Sequence, residues 1–190
     1  LYNDTDHEID VKLTNFALSV YGNAVDLSVA DFNPEYTNLK EGSWSNLFDG
    51  KYETYIWTNT AQKVNHYIII DFGAETPLYD FTITQEKGNP KFYNAEFYLS
   101  TDKTNWGSPV TSVAETNGAV TGPHWKEEGN YIKISRDDLN GVPARYMKIR
   151  ITKDHGYFLR INEIEINKTI SASDETVGKI YSETLKGDLD

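Results

Sequence analysis

The sequence predicts an all-β chain, a β-sandwich of antiparallel strands. No long segment shows helical periodicity. Strand-like runs recur instead along the chain: Tyr67 to Phe72, Asp80 to Thr84, Ala95 to Ser100, Tyr131 to Ser135, Ala144 to Thr152 and Arg160 to Asn167. In the fifth run Tyr146, Lys148, Arg150 and Thr152 alternate with Met147, Ile149 and Ile151, giving one wet face and one buried face.

Each run ends on turn chemistry. Gly73 closes the first, Gly88-Asn89-Pro90 follows the second, and Asp102-Lys103-Thr104-Asn105 the third. Asn117-Gly118 and Asn140-Gly141 punctuate the rest. The 13 Tyr, with recurrent Val, Ile, Thr and Phe, suit strands. Many short strands with regular turns make a sandwich. Residues 1–35 read as an N-terminal extension or the end of a preceding domain, in which Val11 to Tyr21 could form a further strand or hairpin. Residues 36–168 read as the sandwich and 169–190 as a polar C-terminal extension.

Charge narrows the partners. Lys plus Arg total 18 against 29 Asp plus Glu, a formal net charge of -11. Such a field repels phosphate backbones and anionic lipid headgroups, so neither nucleic acid nor membrane insertion is expected. A neutral glycan or a cation suits it better. There is no Cys, hence no disulfide and no thiolate metal site. No apolar run approaches the roughly 20 residues of a membrane helix. The start at Leu1, with no signal-peptide pattern, reads as a piece of something larger.

Catalysis has no sequence support. A glycosidase needs paired carboxylates, and nothing singles out a pair among the 29 acidic residues. His7, His66, His124 and His155 sit in unrelated contexts without a nucleophile motif. Neither a Gly-rich phosphate loop nor a paired-His zinc motif is present. The chain is not expected to be an enzyme.

Five motifs stand in a suggestive order. Asn46 to Trp57 reads NLFDGKYETYIW, with an Asp-Gly turn, a Thr five residues after the Asp and an aromatic close behind. His66 to Gly73, HYIIIDFG, comes next. Tyr98-Leu99-Ser100-Thr101-Asp102 with Asn105-Trp106 follows, then Ala144-Arg145-Tyr146-Met147-Lys148-Ile149, then Ile161 to Ile166, INEIEI. Together they resemble the coagulation-factor type C (discoidin) domain superfamily, a galactose-binding-like jelly roll, and most nearly its bacterial family 32 carbohydrate-binding modules. The resemblance covers roughly residues 40 to 168. Eukaryotic secreted members usually carry a disulfide, which this Cys-free chain lacks. Structural roles also suit these residues: Trp106 as a core plug beside its hairpin, Arg145 as the partner of an acidic strand residue, Asp71 as a turn anchor.

The resemblance implies a structural calcium site. Calcium takes six to eight oxygen ligands, mixing carboxylates and carbonyls. Asp49 and Glu163 would supply carboxylates, Thr54 its hydroxyl and carbonyl, and Asn46, Lys51 and Asn162 backbone carbonyls. The ion would clasp the first core loop to the last core strand. Alternatively, Asp49-Gly50 is an ordinary turn and Glu163 an exposed strand residue.

It also implies a sugar site on loops at one end of the sandwich, where rings stack on sugar C–H faces and polar side chains select the epimer. Candidates are Asp154, His155, Tyr157 and Phe158 in one loop, Glu86 and Asn89 with Lys91 in another, and Tyr36 and Trp44 as walls. For the aromatics, stacking and plugging are both open, and His155 also suits an exposed loop. Galactose-binding members usually have Arg at the position of Glu86, a change that reverses charge and removes a donor fork.

The implied function is a non-catalytic module tethering a larger extracellular or cell-surface protein to glycans, with weak affinity of about 4 to 8 kcal/mol. The alternative is a protein-interaction or structural spacer among attached domains. Extracellular placement follows from the resemblance alone.

Overall fold

The computed structural model describes residues 26–88 and 90–167. The expected strand or hairpin at Val11 to Tyr21, the C-terminal extension and Asn89 lie outside the described residues. In chain order the strands are β1 (Ser28–Phe32), β2 (Leu39–Glu41), β3 (Ile56–Gln62), β4 (Tyr67–Leu78), β5 (Phe81–Glu86), β6 (Ala95–Ser100) and β7 (Thr111–Thr116). They continue as β8 (Ala119–Thr121), β9 (Trp125–Glu128), β10 (Tyr131–Arg136), β11 (Val142–Ile151), β12 (His155–Ile161) and β13 (Glu163–Ile166). Two 3-10 helices, Pro34–Tyr36 and Trp44–Phe48, flank β2.

Apart from the two 3-10 helices, the regular structure of the described residues is β and antiparallel. A six-stranded sheet runs β1-β4-β11-β6-β7-β8, a four-stranded sheet β13-β5-β10-β9, and a three-stranded sheet β12-β3-β2. Period-2 alternation builds the interior: Met147, Ile149 and Ile151 of β11 are all at most 2% exposed, while Tyr146, Lys148 and Arg150 between them are not buried. Buried side chains from all three sheets form one cluster that includes Phe72, Phe81, Phe92 and Phe97. Each such ring contributes about 1.5–3 kcal/mol by burial.

Two boundaries and one side chain differ from expectation. The six-stranded sheet starts at Ser28, ahead of residue 36, because β1 pairs with β4. Arg160 to Asn167, expected as one strand, is β12 and β13 in two different sheets. Asn162 makes the corner: its N–H donates to Thr84 O at 2.9 Å, its amide donates to Tyr52 O at 2.8 Å, and its Oδ1 accepts from Glu86 N at 2.9 Å. Trp106 does not plug the core. It lies partly exposed, with the Lys148 ammonium 4.2 Å from its ring centroid. Two other expectations hold. Arg145 donates to both oxygens of Asp71 at 3.0 and 3.1 Å, and Asp71 Oδ1 accepts from Gly73 N at 2.8 Å.

Candidate functional site

One end of the sandwich gathers the β3–β4, β5–β6 and β11–β12 connections. Gln62, the last residue of β3, is 1% exposed and donates through Nε2 to Lys91 O at 2.7 Å and Tyr157 O at 3.4 Å. Asp154 Oδ1 accepts from Val64 N at 2.7 Å. These bonds tie all three connections together, so the side chains they carry are held in place before any ligand arrives.

On this frame three rings cluster. Tyr93 and His155 are parallel with centroids 3.4 Å apart; Tyr157 lies 5.7 Å from Tyr93 and 5.2 Å from His155, each pair stacked. Tyr93 is buried, whereas Tyr157 is 46% exposed. Glu115 Oε2 lies 3.8 Å from His155 Nε2, and the Lys91 ammonium is 5.7 Å from the Tyr93 ring. Burial first, then the Tyr157 and Glu115 charges, raise the Tyr93 phenol above its ordinary value, so it remains neutral. The product is an exposed ring backed by two others, and such pre-ordering lowers the entropic cost of binding.

Asp154, His155 and Tyr157 are thus brought together, with Asp154 serving as a loop tie. The other expected wall and loop residues go elsewhere. Tyr36 is 0% exposed, packed edge-on against His66 at 5.0 Å, and cannot wall a pocket: the 3-10 turn that carries it points its ring into the core. Trp44 stacks on Phe32 at 4.8 Å beside β1. Glu86 is paired with Arg160 Nη1 at 2.6 Å, and that guanidinium lies 3.5 Å over the Tyr55 ring. Phe158 shares the Lys40 ammonium with Trp57, at 5.6 and 3.7 Å. Tyr93, Gln62, Lys91 as a backbone acceptor, and Glu115 complete the ring cluster. Glu115, 40 positions from His155, had no sequence signal, whereas Tyr93, 62 positions away, closes the expected loop that carries Glu86, Asn89 and Lys91.

A second assembly joins the Asn46–Thr54 loop to β13. Asp49 caps the 3-10 helix Trp44–Phe48, and Gly50 at φ 74° turns the chain back in the left-handed region that favours Gly. Lys51 N–H donates to Asp49 Oδ1 at 3.0 Å and Glu163 Oε2 at 3.1 Å. The Thr54 hydroxyl lies 2.9 and 2.8 Å from the Asp49 oxygens and 3.0 Å from Lys51 O. Glu163 is 2% exposed, not an exposed strand residue. Burial, then the Asp49 carboxylate, push its pKa up to about 7, against backbone donors from Lys51 and Gly50.

These groups fit a hard cation. Two carboxylates, a hydroxyl and a carbonyl converge, and the buried acid has a neighbouring negative charge where a cation would relieve it. Asn46 and Asn162 spend their side chains on Tyr55 O and Tyr52 O, leaving backbone carbonyls as the donors expected of them. Among the described residues no group of three or more His, Cys, Asp or Glu side chains is arranged to hold a metal ion, so with Asp49 and Glu163 as its two carboxylates a cation here would depend on hydroxyl and carbonyl oxygens for the rest of its shell.

Comparison with known proteins agrees with this architecture. A stretch covering 45% of the chain is 30% identical over 92 residues to a sialidase of Micromonospora viridifaciens, and spans 14% of that protein. Among solved structures the fold is similar to CBM32-1 from a family 31 glycoside hydrolase of Clostridium perfringens, with a TM-score of 0.57, 20% identity, and coverage of 76% of this chain and 97% of that one. It is also similar to a fragment of a Bacteroides thetaiotaomicron protein, with a TM-score of 0.51, 18% identity, and coverage of 74% and 87%. No helix among the described residues is long and apolar enough to cross a membrane. The F5/8 type C domain matches residues 33–164, the span that holds both the ring cluster and the Asp49–Glu163 assembly, and the chain belongs to that family.

Proposed function

We propose that the chain is a non-catalytic carbohydrate-binding module that tethers a larger extracellular or cell-surface protein to neutral glycans. The observation that carries this is Tyr157: a large ring 46% exposed, held against His155 and Tyr93 at the loop end of the sandwich. An exposed ring with a fixed orientation offers a flat apolar face to a pyranose, and Lys91, 5.7 Å from the Tyr93 ring, and Glu115, 3.8 Å from His155 Nε2, would supply a donor and an acceptor for hydroxyls. The similarity of fold to CBM32-1 supports the reading, and the net charge of -11 favours a neutral sugar over an anionic one at this end.

A calcium ion held by Asp49, Glu163, Thr54 and the backbone carbonyls of Asn46, Lys51 and Asn162 would serve stability. When bound it would supply positive charge to two carboxylates, one of them buried, and so link the first core loop to β13. No step of sugar binding passes through it.

The test is a glycan array with the whole chain and calcium, beside a Tyr157→Ala variant of unchanged melting temperature. Binding to neutral glycans that the variant loses supports the module. One observation favours a spacer or protein-interaction role: Glu86, at the position where galactose-binding members usually have Arg, is a carboxylate paired with Arg160 Nη1 at 2.6 Å. Wild type that binds no glycan, yet captures a domain of the same larger protein, would establish the spacer.

A further inference from the structure

The outer face of the six-stranded sheet is set by register. Antiparallel pairing across β6, β11 and β4 lays down three rows: Glu96–Arg150–Tyr67, Tyr98–Lys148–Ile69 and Ser100–Tyr146–Asp71. The residues between them, Phe97, Ile149 and Ile68, point into the core. Both outer rows are charge-balanced. Arg150 Nη2 donates to Glu96 Oε2 at 2.6 Å and lies 2.7 Å from the Tyr98 hydroxyl. Arg145, at the β11 bulge next to Tyr146, holds Asp71 through two bonds.

The middle row is not balanced. Among the described residues the Lys148 ammonium has no hydrogen bond and no carboxylate partner; it lies 4.2 Å from the Trp106 ring centroid and 5.2 Å from that of Tyr98. Burial, then the Arg150 charge, hold it below the ordinary lysine value, and no anion acts on it in return. It stands at the centre of the grid, over Tyr98 and Ile69, which are only 7% and 6% exposed although they face outward.

A partly desolvated cation attracts a carboxylate more strongly than it does ring faces alone, because a charge-assisted hydrogen bond adds to the attraction. Lys148 is therefore a ring-packed cation with no protein anion among the described residues. Trp106 and Tyr146, both partly exposed, border it, with the Arg145 guanidinium 5.1 Å over the Tyr146 ring and Trp106 as the ring offered to a ligand. A carboxylate beside stacked ring faces is the outline of an acidic sugar, whereas an acidic polypeptide would use the charge and leave the rings unmatched.

We propose that this sheet face is a second saccharide-binding surface, distinct from the Tyr157 end, that takes a uronic-acid polysaccharide by pairing its carboxylate with Lys148 and stacking a pyranose on Trp106. The Glu96–Arg150 and Asp71–Arg145 pairs fix the borders and contribute no net charge. The chain's overall negative charge makes the binding sensitive to salt, since a single local cation must act against it.

The experiment is affinity electrophoresis of the whole chain through gels holding polygalacturonate, neutral galactan or polyglutamate. Lys148→Met, which keeps the stem packed over Tyr98, is run with Trp106→Ala and Tyr157→Ala, each checked for unchanged melting. Polygalacturonate is expected to retard wild type and Tyr157→Ala alike, with affinity at least about tenfold lower in Lys148→Met and reduced in Trp106→Ala. No retardation by polygalacturonate, or equal retardation of Lys148→Met, overturns the proposal. So does equal retardation by polyglutamate, which would assign the face to an acidic protein. Loss in Tyr157→Ala would place acidic sugars at the loop end instead. Galactan binding that fails only in Tyr157→Ala reports on the other reading separately.

Discussion

The buried carboxyl group of Glu163 faces the carboxylate of Asp49, and both accept from a single backbone donor, the Lys51 N–H, at 3.1 and 3.0 Å. Two neighbouring acids with this donor in common, and Gly50 as a further donor to Glu163, set the pH response of this corner. Burial and Asp49 raise Glu163 from 4.5 to about 7 in the folded chain. A raised carboxyl pKa means that the folded state binds its proton more tightly than the unfolded state does. Its contribution to stability is therefore full below about 4.5 and is lost as pH rises through about 7. In chelator, the difference in melting temperature between wild type and Glu163→Gln should shift in favour of wild type as pH falls from 8 to 5. The variant is the necessary reference, since Glu96, held below its ordinary value by Tyr98 and Arg150, works in the opposite direction. A constant difference across that range would remove the argument.

Calcium should reverse this behaviour. A bound ion would need the ionised form, so protons would compete with it and its effect would grow with pH. At a concentration 100 times its dissociation constant the ion stabilises by about 2.7 kcal/mol, and each kcal/mol raises melting by roughly 2–4 °C in a domain of this size. Scanning calorimetry at pH 8 should show an increase of several degrees on adding calcium and none in Asp49→Ala. An increase of equal size in that variant would place the ion elsewhere.

At the loop end, Tyr157→Ala removes an exposed ring and should change melting little while weakening glycan binding at least tenfold, about 1.4 kcal/mol. Tyr93→Ala removes a buried ring and should cost about 3–5 kcal/mol of stability. Isothermal titration and thermal melts on both variants separate platform from support. Tyr157→Ala with intact binding would exclude the ring as the stacking surface.

Much of this arrangement could be read from the sequence because it is local. Period-2 alternation marked β11, and Ala95 to Ser100 coincided with β6, since a strand buried on one face carries its pattern in its own residues. Asp49, Lys51 and Thr54 also lie within six residues, and it was the family resemblance that grouped them. Illegible were the choices made by packing. Nothing local distinguishes Tyr36, which turns inward on a 3-10 turn, from Tyr157, which turns outward. Trp106 sits in a hairpin motif, yet its cation comes from Lys148, 42 positions on, and only sheet register reveals that. The break at Asn162 depends on three partners from β5 and the Tyr52 loop.

That corner gives a further prediction. Asn162→Ala leaves the Glu86 N–H and the Tyr52 carbonyl without their side-chain partner, and an unsatisfied buried group costs about 1–3 kcal/mol. Denaturant unfolding should show a loss of about 2–4 kcal/mol. Asn162→Asp restores the acceptor for Glu86 but not the donor for Tyr52 and should fall between. If the two variants were equal to wild type, the side chain would not be what separates β12 from β13.

Tyr36 yields the sharpest test of burial against polarity. Its ring is 0% exposed, its hydroxyl has no hydrogen-bond partner among the described residues, and burial, then Glu35, raise its phenol well above the ordinary value. A hydroxyl buried without a partner carries a desolvation penalty and returns nothing, so its removal should not harm the fold. Tyr36→Phe is therefore expected to melt at or slightly above the wild-type temperature, while Tyr36→Ala opens a cavity in the core and should lose about 3–5 kcal/mol. Glycan binding should be unchanged in Tyr36→Phe, because the ring lines no exposed surface. A loss of more than about 1 kcal/mol in Tyr36→Phe would mean the hydroxyl has a partner after all, such as an ordered water bridging it to His66 Nδ1, which is also buried without a hydrogen bond among the described residues.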